Sequence, residues 1–525
     1  MKIDKRITGG ILGFALLCAG PLAFGAGPAG ASPAPAAGAA QTGGNITVLE
    51  SSSASSWALG LDPATNTNDL ADAPYMNAIY GQLFEQGKAG LVPELATGYH
   101  FGAGAKSLTL TLRHGVKFSD GTPFNAKAVA FNIKRDLTPS FACICDSSFP
   151  VASVTTPNQY TVVLHLSKPF SAVINAFPGS APNWIASPTA LAKMGEKAFA
   201  QTPVGAGPFE VQSDTYSSVL VLKKNPNYWQ PGHPYLDGIT FKSVGSDESS
   251  YEAVVAGSGQ MAENVGSTQV VQAARKELQV NEVTGRNAVN AIQFNTTKAP
   301  FNNVLAREAV SYATDASALS KALTNGTGVV IQSPSLPGSA FYEPKVPGYR
   351  TYNPAKAKAL LGQLGGLSIT LNGINGPAAT LAEAVASEWQ QVGIQVKLNL
   401  FADLVALNQA YASNNWQVLL QAAGGINPAV GTGGSYWRYY STAPFTGVKD
   451  ANLDKLINEA AGTPVTGQQV KIYKQIDKYL SQKAYFAFLY LAPLQNLTAK
   501  SVHGPGVSTP LEFPVWSDVW LQQSA

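Results

Sequence analysis

The chain has 525 residues and a formal net charge of +3, and only 13% of its residues are Asp, Glu, Lys or Arg. That length supports a sizeable core and more than one domain. Lys2, Lys5 and Arg6 against Asp4 carry most of the excess positive charge. The rest is near neutral and offers no electrostatic footprint for nucleic acid.

In chain order, Lys2, Lys5 and Arg6 form a positive leader, and residues 11–24 form an apolar run too short for a comfortable membrane span. Ala29-Gly30-Ala31 is a small-residue cleavage site, with Ala23-Phe24-Gly25 as a second candidate. Residues 1–31 therefore read as a signal peptide. Cys18 offers a lipid anchor as the other processing route, although bulky Leu17 precedes it. Residues 32–44 belong to a Gly-, Ala- and Pro-rich run that reads as a flexible tether. No later segment is apolar over about 18 residues, so the mature body is expected to be soluble.

Residues 45–50 read as a short strand leading into the Ser-rich run 51–56. Leu108, Leu110 and Leu112 alternate with Thr109, Thr111 and Arg113, the period of a half-buried strand. Asp120-Gly121 is a tight turn. Asn125 is expected to cap a helix from Ala126, with Val129, Ala130, Ile133 and Leu137 as its apolar stripe. Cys143 and Cys145 close a small loop disulfide or stay as thiols. Alternation predicts strands over 160–166, 219–223 and 239–244. Asp247 is expected to cap a helix through Tyr251 and Val255. Asn353-Pro354 opens a helix to about Leu361. Residues 377–392 read as a helix ended by Gly393, and 394–400 as the following strand. Thr466 is expected to cap a helix through Ile472, Ile476 and Leu480. Strands alternating with helices imply α/β lobes.

Enzyme signatures are missing. His100, His114, His165, His233 and His503 pair at no metal-binding spacing, and there is neither H-E-x-x-H nor G-x-S-x-G. Residues 102–107 (GAGAKS) lack the Gly before Lys106 and precede a strand, so they read as a hairpin turn rather than a phosphate loop. Asn295, Asn325 and Asn496 stand in N-x-T sequons and are read as ordinary loop or strand Asn. No cofactor or metal is expected, and the chain reads as a non-enzyme.

The wording of several segments points further. Leu112-Arg113-x-Gly115-Val116-Lys117-Phe118, then Asp120-Gly121-Thr122-Pro123-Phe124, then Ala126, Val129, Phe131, Ile133 and Arg135, resembles the signature of the extracellular solute-binding proteins of family 5. These are the oligopeptide-, dipeptide- and nickel-binding type receptors of ABC importers. Residues 77–85 (NAIYGQLFE), 91–96 (LVPELA), 203–209 (PVGAGPF), 225–229 (NPNYW), and 294–295 with 307–315 are similar to further family segments, in the family's order.

The resemblance implies an α/β, two-lobed periplasmic-binding-protein fold (type II), with an inserted subdomain in the first lobe and a ligand cleft between lobes. The first lobe would comprise 45–66, 200–287 and 494–525, the inserted subdomain 67–199, and the second lobe 288–493. It implies an exported, extracytoplasmic receptor that captures a peptide-like or other small polar solute. The receptor would be a monomer delivering that solute to membrane permease subunits served by a separate ATPase. An exported hydrolase acting on a sugar or peptide is the alternative.

Family members that bind peptides hold the free ammonium with an Asp in a second-lobe stretch like D-x-x-D-P. The corresponding stretch here, 421–428 (QAAGGINP), contains no carboxylate. An unpaired ammonium in a dry cleft costs several kcal/mol, which weakens a free-peptide reading and equally a nickel reading. Ser435, Trp416, Tyr436, Trp437, Tyr439 and Tyr440 surround the stretch, and Trp57 follows the Ser-rich loop. Aromatic faces with polar tips suit a neutral polar ligand. The candidate ligand-binding residues are Ser53, Trp57, Gln421, Asn427, Tyr436 and Trp437. Arg438 could bind an anion or lie solvated. Should an ammonium bind after all, Asp403 and Asp69 are the first partners to consider.

Overall fold

The structure is a computed structural model. It describes residues 39–525 apart from 52–59, 66–68, 88–89, 139–148, 216–217, 284–287, 338–340, 376–378, 403–405, 408, 411–412, 425–446, 464–466, 493, 510, 512 and 524–525. The disulfide expectation for Cys143 and Cys145 lies outside the described residues.

The strand, turn and helix expected around residues 107–135 are present. Strand Ser107–Leu112 buries Leu108, Leu110 and Leu112 on one face. Gly121 takes φ +82°, which its lack of a Cβ allows. Asn125 accepts hydrogen bonds from Lys127 N and Ala128 N and caps helix Ala126–Asp136. The strand belongs to an antiparallel four-stranded sheet in the order Ala96–Phe101, Ser107–Leu112, Thr161–Leu166, Val151–Asn158. Residues 102–107 form the hairpin connection within it. Helix Ala126–Asp136 covers one face, with Val129 and Ile133 in the shared core.

A seven-stranded sheet follows the order Gln279–Glu282, Gln495–Thr498, Met261–Val265, Asn45–Ser51, Gly238–Val244, Val219–Lys224, Phe209–Thr215. Its strands come from three distant stretches of chain. Asn45–Ser51 runs parallel to both its neighbours. The cap of the next helix departs from expectation. Ser246, with extended φ and ψ, accepts from Ser249 N and caps helix Asp247–Val255. Asp247 is already helical, and its Oδ2 accepts from Gly266 N and Ser267 N at 3.0 and 2.8 Å.

A six-stranded sheet has the order Val329–Val330, Phe486–Ala492, Ala288–Phe294, Val418–Gly424, Ser368–Ile374, Gln395–Phe401. Helix Pro354–Leu364 starts as expected, with the Asn353 side chain accepting from Lys356 N. Helix Ala379–Gln391 is followed by Gly393 at φ +102°. Hydrophobic clusters line both faces of this sheet, one beneath helices Val304–Ala313 and Ala379–Gln391 and the other beneath Ala451–Gly462 and Gly467–Lys483. Thr466, expected as a cap, lies outside the described residues.

Several of the motif segments meet at one junction. Gly207 sits so close to helix Asp69–Tyr80 that a Cβ there would lie 2.5 Å from the Ala78 carbonyl oxygen, and a Cβ on Gly205 would strike that of Ile79. Asn225 donates to the Gly207 carbonyl at 2.7 Å. Ser119 N donates to the Gly205 carbonyl at 2.9 Å, and Asn227 donates to the Ser119 carbonyl at 3.0 Å. The glycines are required here by backbone approach, not by chemistry. Asn295 and Asn496 of the sequons are buried and donate to backbone carbonyls, so both are structural.

Candidate functional site

In an α/β sheet, ligands collect in the crevice outside the carboxyl ends of parallel strands. Two such edges occur here. In the seven-stranded sheet, Asn45–Ser51 ends beside Val244 and Glu263 of its parallel neighbours. The chain then enters residues 52–59, so the candidates Ser53 and Trp57 follow directly from that edge but lie outside the described residues. In the six-stranded sheet, Ser368–Ile374 is parallel to both Gln395–Phe401 and Val418–Gly424. Gln421 lies in the last of these strands, opposite Ala291, and its side chain is not among those described. The strand leads into 425–446, where Asn427, Tyr436 and Trp437 lie outside the described residues. Asp403 and Arg438 also lie outside them.

The chain passes between the two sheets twice, and the passages are side by side. Gln279–Glu282 pairs antiparallel with Gln495–Thr498 in the first sheet. Ala288–Phe294 pairs antiparallel with Phe486–Ala492 in the second. Between the two ladders, Val283 N donates to the Leu494 carbonyl at 2.9 Å. Two adjacent crossings of this kind are the usual site of a hinge.

Trp416, expected among the aromatic surroundings of the ligand, is instead packed. It is buried with Leu407 and Leu419, and a Cβ on Gly447 would lie 2.6 Å from its ring. Its volume fills the lobe rather than walling a cleft. Conversely, buried carboxylates stand at the first edge. Glu50 and Glu263 are register neighbours with 5% and 3% exposure, and Asp72 accepts from the Tyr75 hydroxyl. Burial first, then Asp72, Glu50 and Glu263, pushes the Tyr75 phenol up. The only sequence signal for this group was a Glu closing the apolar strand at 45–50.

A small pocket elsewhere has room for about one water molecule. Asn77, Gln82, Glu85, Glu94, Tyr228 and Ser517 line it. Glu94 accepts from Gln82 N at 2.6 Å, and Asn77 accepts from Trp184 Nε1 at 2.7 Å while its own Nδ2 is buried without a partner. Burial, with Asp518 adding to it, pushes Glu85 up to about 7. Burial and then Glu85 push Glu94 well above the usual carboxylate range, opposed by the Gln82 N–H and by Arg113. The pocket joins the hairpin strands Phe84–Gly87 and Gly90–Pro93 to the C-terminal segment. Among the described residues, no group of three or more His, Cys, Asp or Glu is placed to hold a metal. Among them, too, no helix is long and apolar enough to cross a membrane.

Comparison with known proteins agrees with this architecture. The glutathione-binding protein GsiB of Salmonella choleraesuis is 32% identical over 350 residues, covering 64% of this chain and 66% of its own length. The chain thus spans just under two thirds of that relative. The PBP AgaA of A. tumefaciens R10, solved with agropinic acid, superposes with a TM-score of 0.78 at 24% identity, covering 92% of this chain and 99% of AgaA. DppA of Helicobacter pylori, solved with the peptide STSA, gives 0.79 at 20% identity, covering 92% of this chain and 99% of DppA. The fold is the two-lobed periplasmic-binding-protein fold with an inserted subdomain. Residues 90–445, more than half of the chain, match the family described as bacterial extracellular solute-binding proteins, family 5 Middle. On that match, the chain belongs to the family 5 extracellular solute-binding proteins.

Proposed function

We propose that this chain is an exported receptor of an ABC importer, a monomer and not an enzyme. It captures a peptide-like or other small polar solute between its lobes and delivers it to membrane permease subunits powered by a separate ATPase. The observation that carries the reading is the pair of carboxyl-end strand edges, one in each large sheet, joined by two adjacent crossings. Sheet membership supports a first lobe of 45–66, 200–287 and 494–525, an inserted subdomain of 67–199, and a second lobe of 288–493. Ser53, Trp57, Gln421, Asn427, Tyr436 and Trp437 are the residues we assign to the solute. The relatives' ligands, glutathione, agropinic acid and the peptide STSA, support the solute class. All three relatives are described as binding proteins, which gives the hydrolase alternative no support.

A thermal-shift screen tests the reading with glutathione, agropinic acid, free and N-acetylated di- and tripeptides, and oligosaccharides. A true solute at a hundred times its dissociation constant stabilises the protein by about 2.7 kcal/mol. Trp57→Ala and Trp437→Ala are expected to weaken its binding roughly thirtyfold without lowering the unliganded melting temperature. A library in which no member shifts the melting temperature sinks the receptor reading. Variants that melt early yet bind normally sink the site assignment alone.

A further inference from the structure

The inserted subdomain touches the second lobe at a place that neither crossing provides. Helix Ala451–Gly462 of the second lobe ends there, and its last carbonyls need donors from outside the helix. Gln469 Nε2 serves the carbonyls of Ala460 and Thr463 at 3.1 and 3.0 Å from within the lobe. Ser171, on the inserted subdomain and 4% exposed, serves those of Ala461 and Thr463 at 3.0 and 2.8 Å. Its hydroxyl has one proton, shared between the two. Lys168 donates to Asn458 Oδ1 at 3.2 Å, placing a cation at the negative end of the helix. Ala461, 2% exposed, is buried within the core cluster of the subdomain that also holds Phe170 and Val173. Pro169 packs against Gly462, where an added Cβ would lie 3.4 Å from the Pro169 Cβ.

The same subdomain is bound far more extensively to the first lobe. Its Trp184, Ala186 and Leu191 lie in one hydrophobic cluster with Phe209, Leu222 and Phe241 of the seven-stranded sheet. Arg135 and Asp62 add a buried two-point ion pair. A subdomain tied to both lobes resists any rotation about the crossings, and the weaker tie gives first. We propose that the contact of residues 168–171 with 458–463 is an interlobe clasp, closed in this structure, which must separate for the lobes to open. The proposal rests on the two-lobe receptor reading and adds a latch to it. With the clasp open, the Ser171 hydroxyl and the carbonyls of Ala461 and Thr463 turn to water, so the exchange is near balance and the latch is reversible.

The Gly462–Pro169 spacing allows a lock. Pro169→Cys with Gly462→Cys, in a chain also carrying Cys18→Ser, Cys143→Ser and Cys145→Ser, places two thiols near the roughly 3.5–4.5 Å Cβ separation of disulfides. Small-angle scattering of the unliganded full chain then compares its oxidised and reduced forms. The reduced form is expected to show the larger radius of gyration and to melt with the wild type. The oxidised form is expected to stay compact. A second variant, Gly462→Phe, forces a ring into the same contact at a position without positive φ, and is expected to shift the wild-type particle toward the larger radius. Identical scattering from oxidised and reduced forms overturns the clasp. The solute screen tests the receptor reading separately. A chain that binds a solute yet scatters alike in both forms therefore loses the clasp and keeps the receptor.

Discussion

In the lobe division proposed above, the inserted subdomain meets the first lobe at two buried acidic joints built on opposite terms. At one, Asp62 accepts from both Nη groups of Arg135, at 2.7 and 2.6 Å, and both side chains are buried. At the other, Glu85 and Glu94 lie together beside Tyr228 and Ser517. The nearby cation, Arg113, donates Nε to the Glu94 backbone carbonyl at 2.8 Å and lays its guanidinium 3.8 Å from the Trp229 ring centroid. The first joint is a matched pair, in which each partner justifies the burial of the other. Among the described residues the second carries acid without a bound base, so burial holds its carboxyls in the neutral form to higher pH. A matched joint is sensitive to mutation, and an unmatched one to pH.

The largest expected effect breaks the matched joint. Asp62→Ala strips Arg135 of its two-point partner and leaves it the exposed Glu196 carboxylate at 3.8 Å, and breaking such a buried pair typically costs about 3–5 kcal/mol. A denaturant midpoint measured on the unliganded protein checks this. A cost under about 1 kcal/mol would mean that Arg135 finds another partner or water, and the contrast between the joints would dissolve.

Next comes pH. The folded carboxyl of Glu85 sits at about 7, above the usual carboxylate value of 4.5. The folded state therefore binds the proton more tightly than the unfolded chain does. The stabilisation from that proton is present in full below pH 4.5 and is lost as pH rises from there to about 7. Melting temperature is expected to fall across that window, and Glu85→Gln is expected to flatten the fall. Because Glu85 is only partly buried, the gain of the Gln variant above pH 7 is set at about 1–2 kcal/mol. A variant with an unchanged pH profile would assign the slope to other groups.

The smallest effect sharpens the comparison. Arg113→Gln removes a cation that favours the Glu94 carboxylate, together with its stacking on Trp229. The expected loss is about 1 kcal/mol once Glu94 is ionised, and it should grow as pH rises through the raised Glu94 titration and shrink at lower pH. A loss independent of pH would make Arg113 a packing residue alone.

These joints bear on what the sequence could disclose. The strand, turn and helix of residues 107–135 were legible because alternation, a Gly in a turn and an Asn cap are local signals. So were the motifs that meet at Gly205 and Gly207, although their reason, close backbone approach, is visible only in three dimensions. Asp247 in place of Ser246 as a cap is a one-residue error, since both residue types cap well and only φ and ψ decide. The acids were not legible. Glu50 and Glu263 are brought into register by a parallel pairing across more than two hundred residues, and periodicity carries no trace of such a pairing. Ser171 and Ala461, 290 residues apart, meet for the same reason. Of the candidate site, the sequence supplied residue types and order, and the fold adds the strand edges from which those segments depart.

The strand Gln495–Thr498 lies inside the seven-stranded sheet, between Met261–Val265 and Gln279–Glu282, not at its rim. A chain that crosses a membrane amino end first therefore presents the strand Asn45–Ser51 long before the last strand of its own sheet arrives. Until then Met261–Val265 has an open edge, and the ladder that closes it demands a loop of more than two hundred residues. Such distant pairing is slow. The first lobe would thus be the last part of the molecule to become native, and the emerging chain would stay pliable through nearly its whole passage. A deletion of the last thirty or so residues would damage the lobe that begins the chain more than the lobe that immediately precedes the cut.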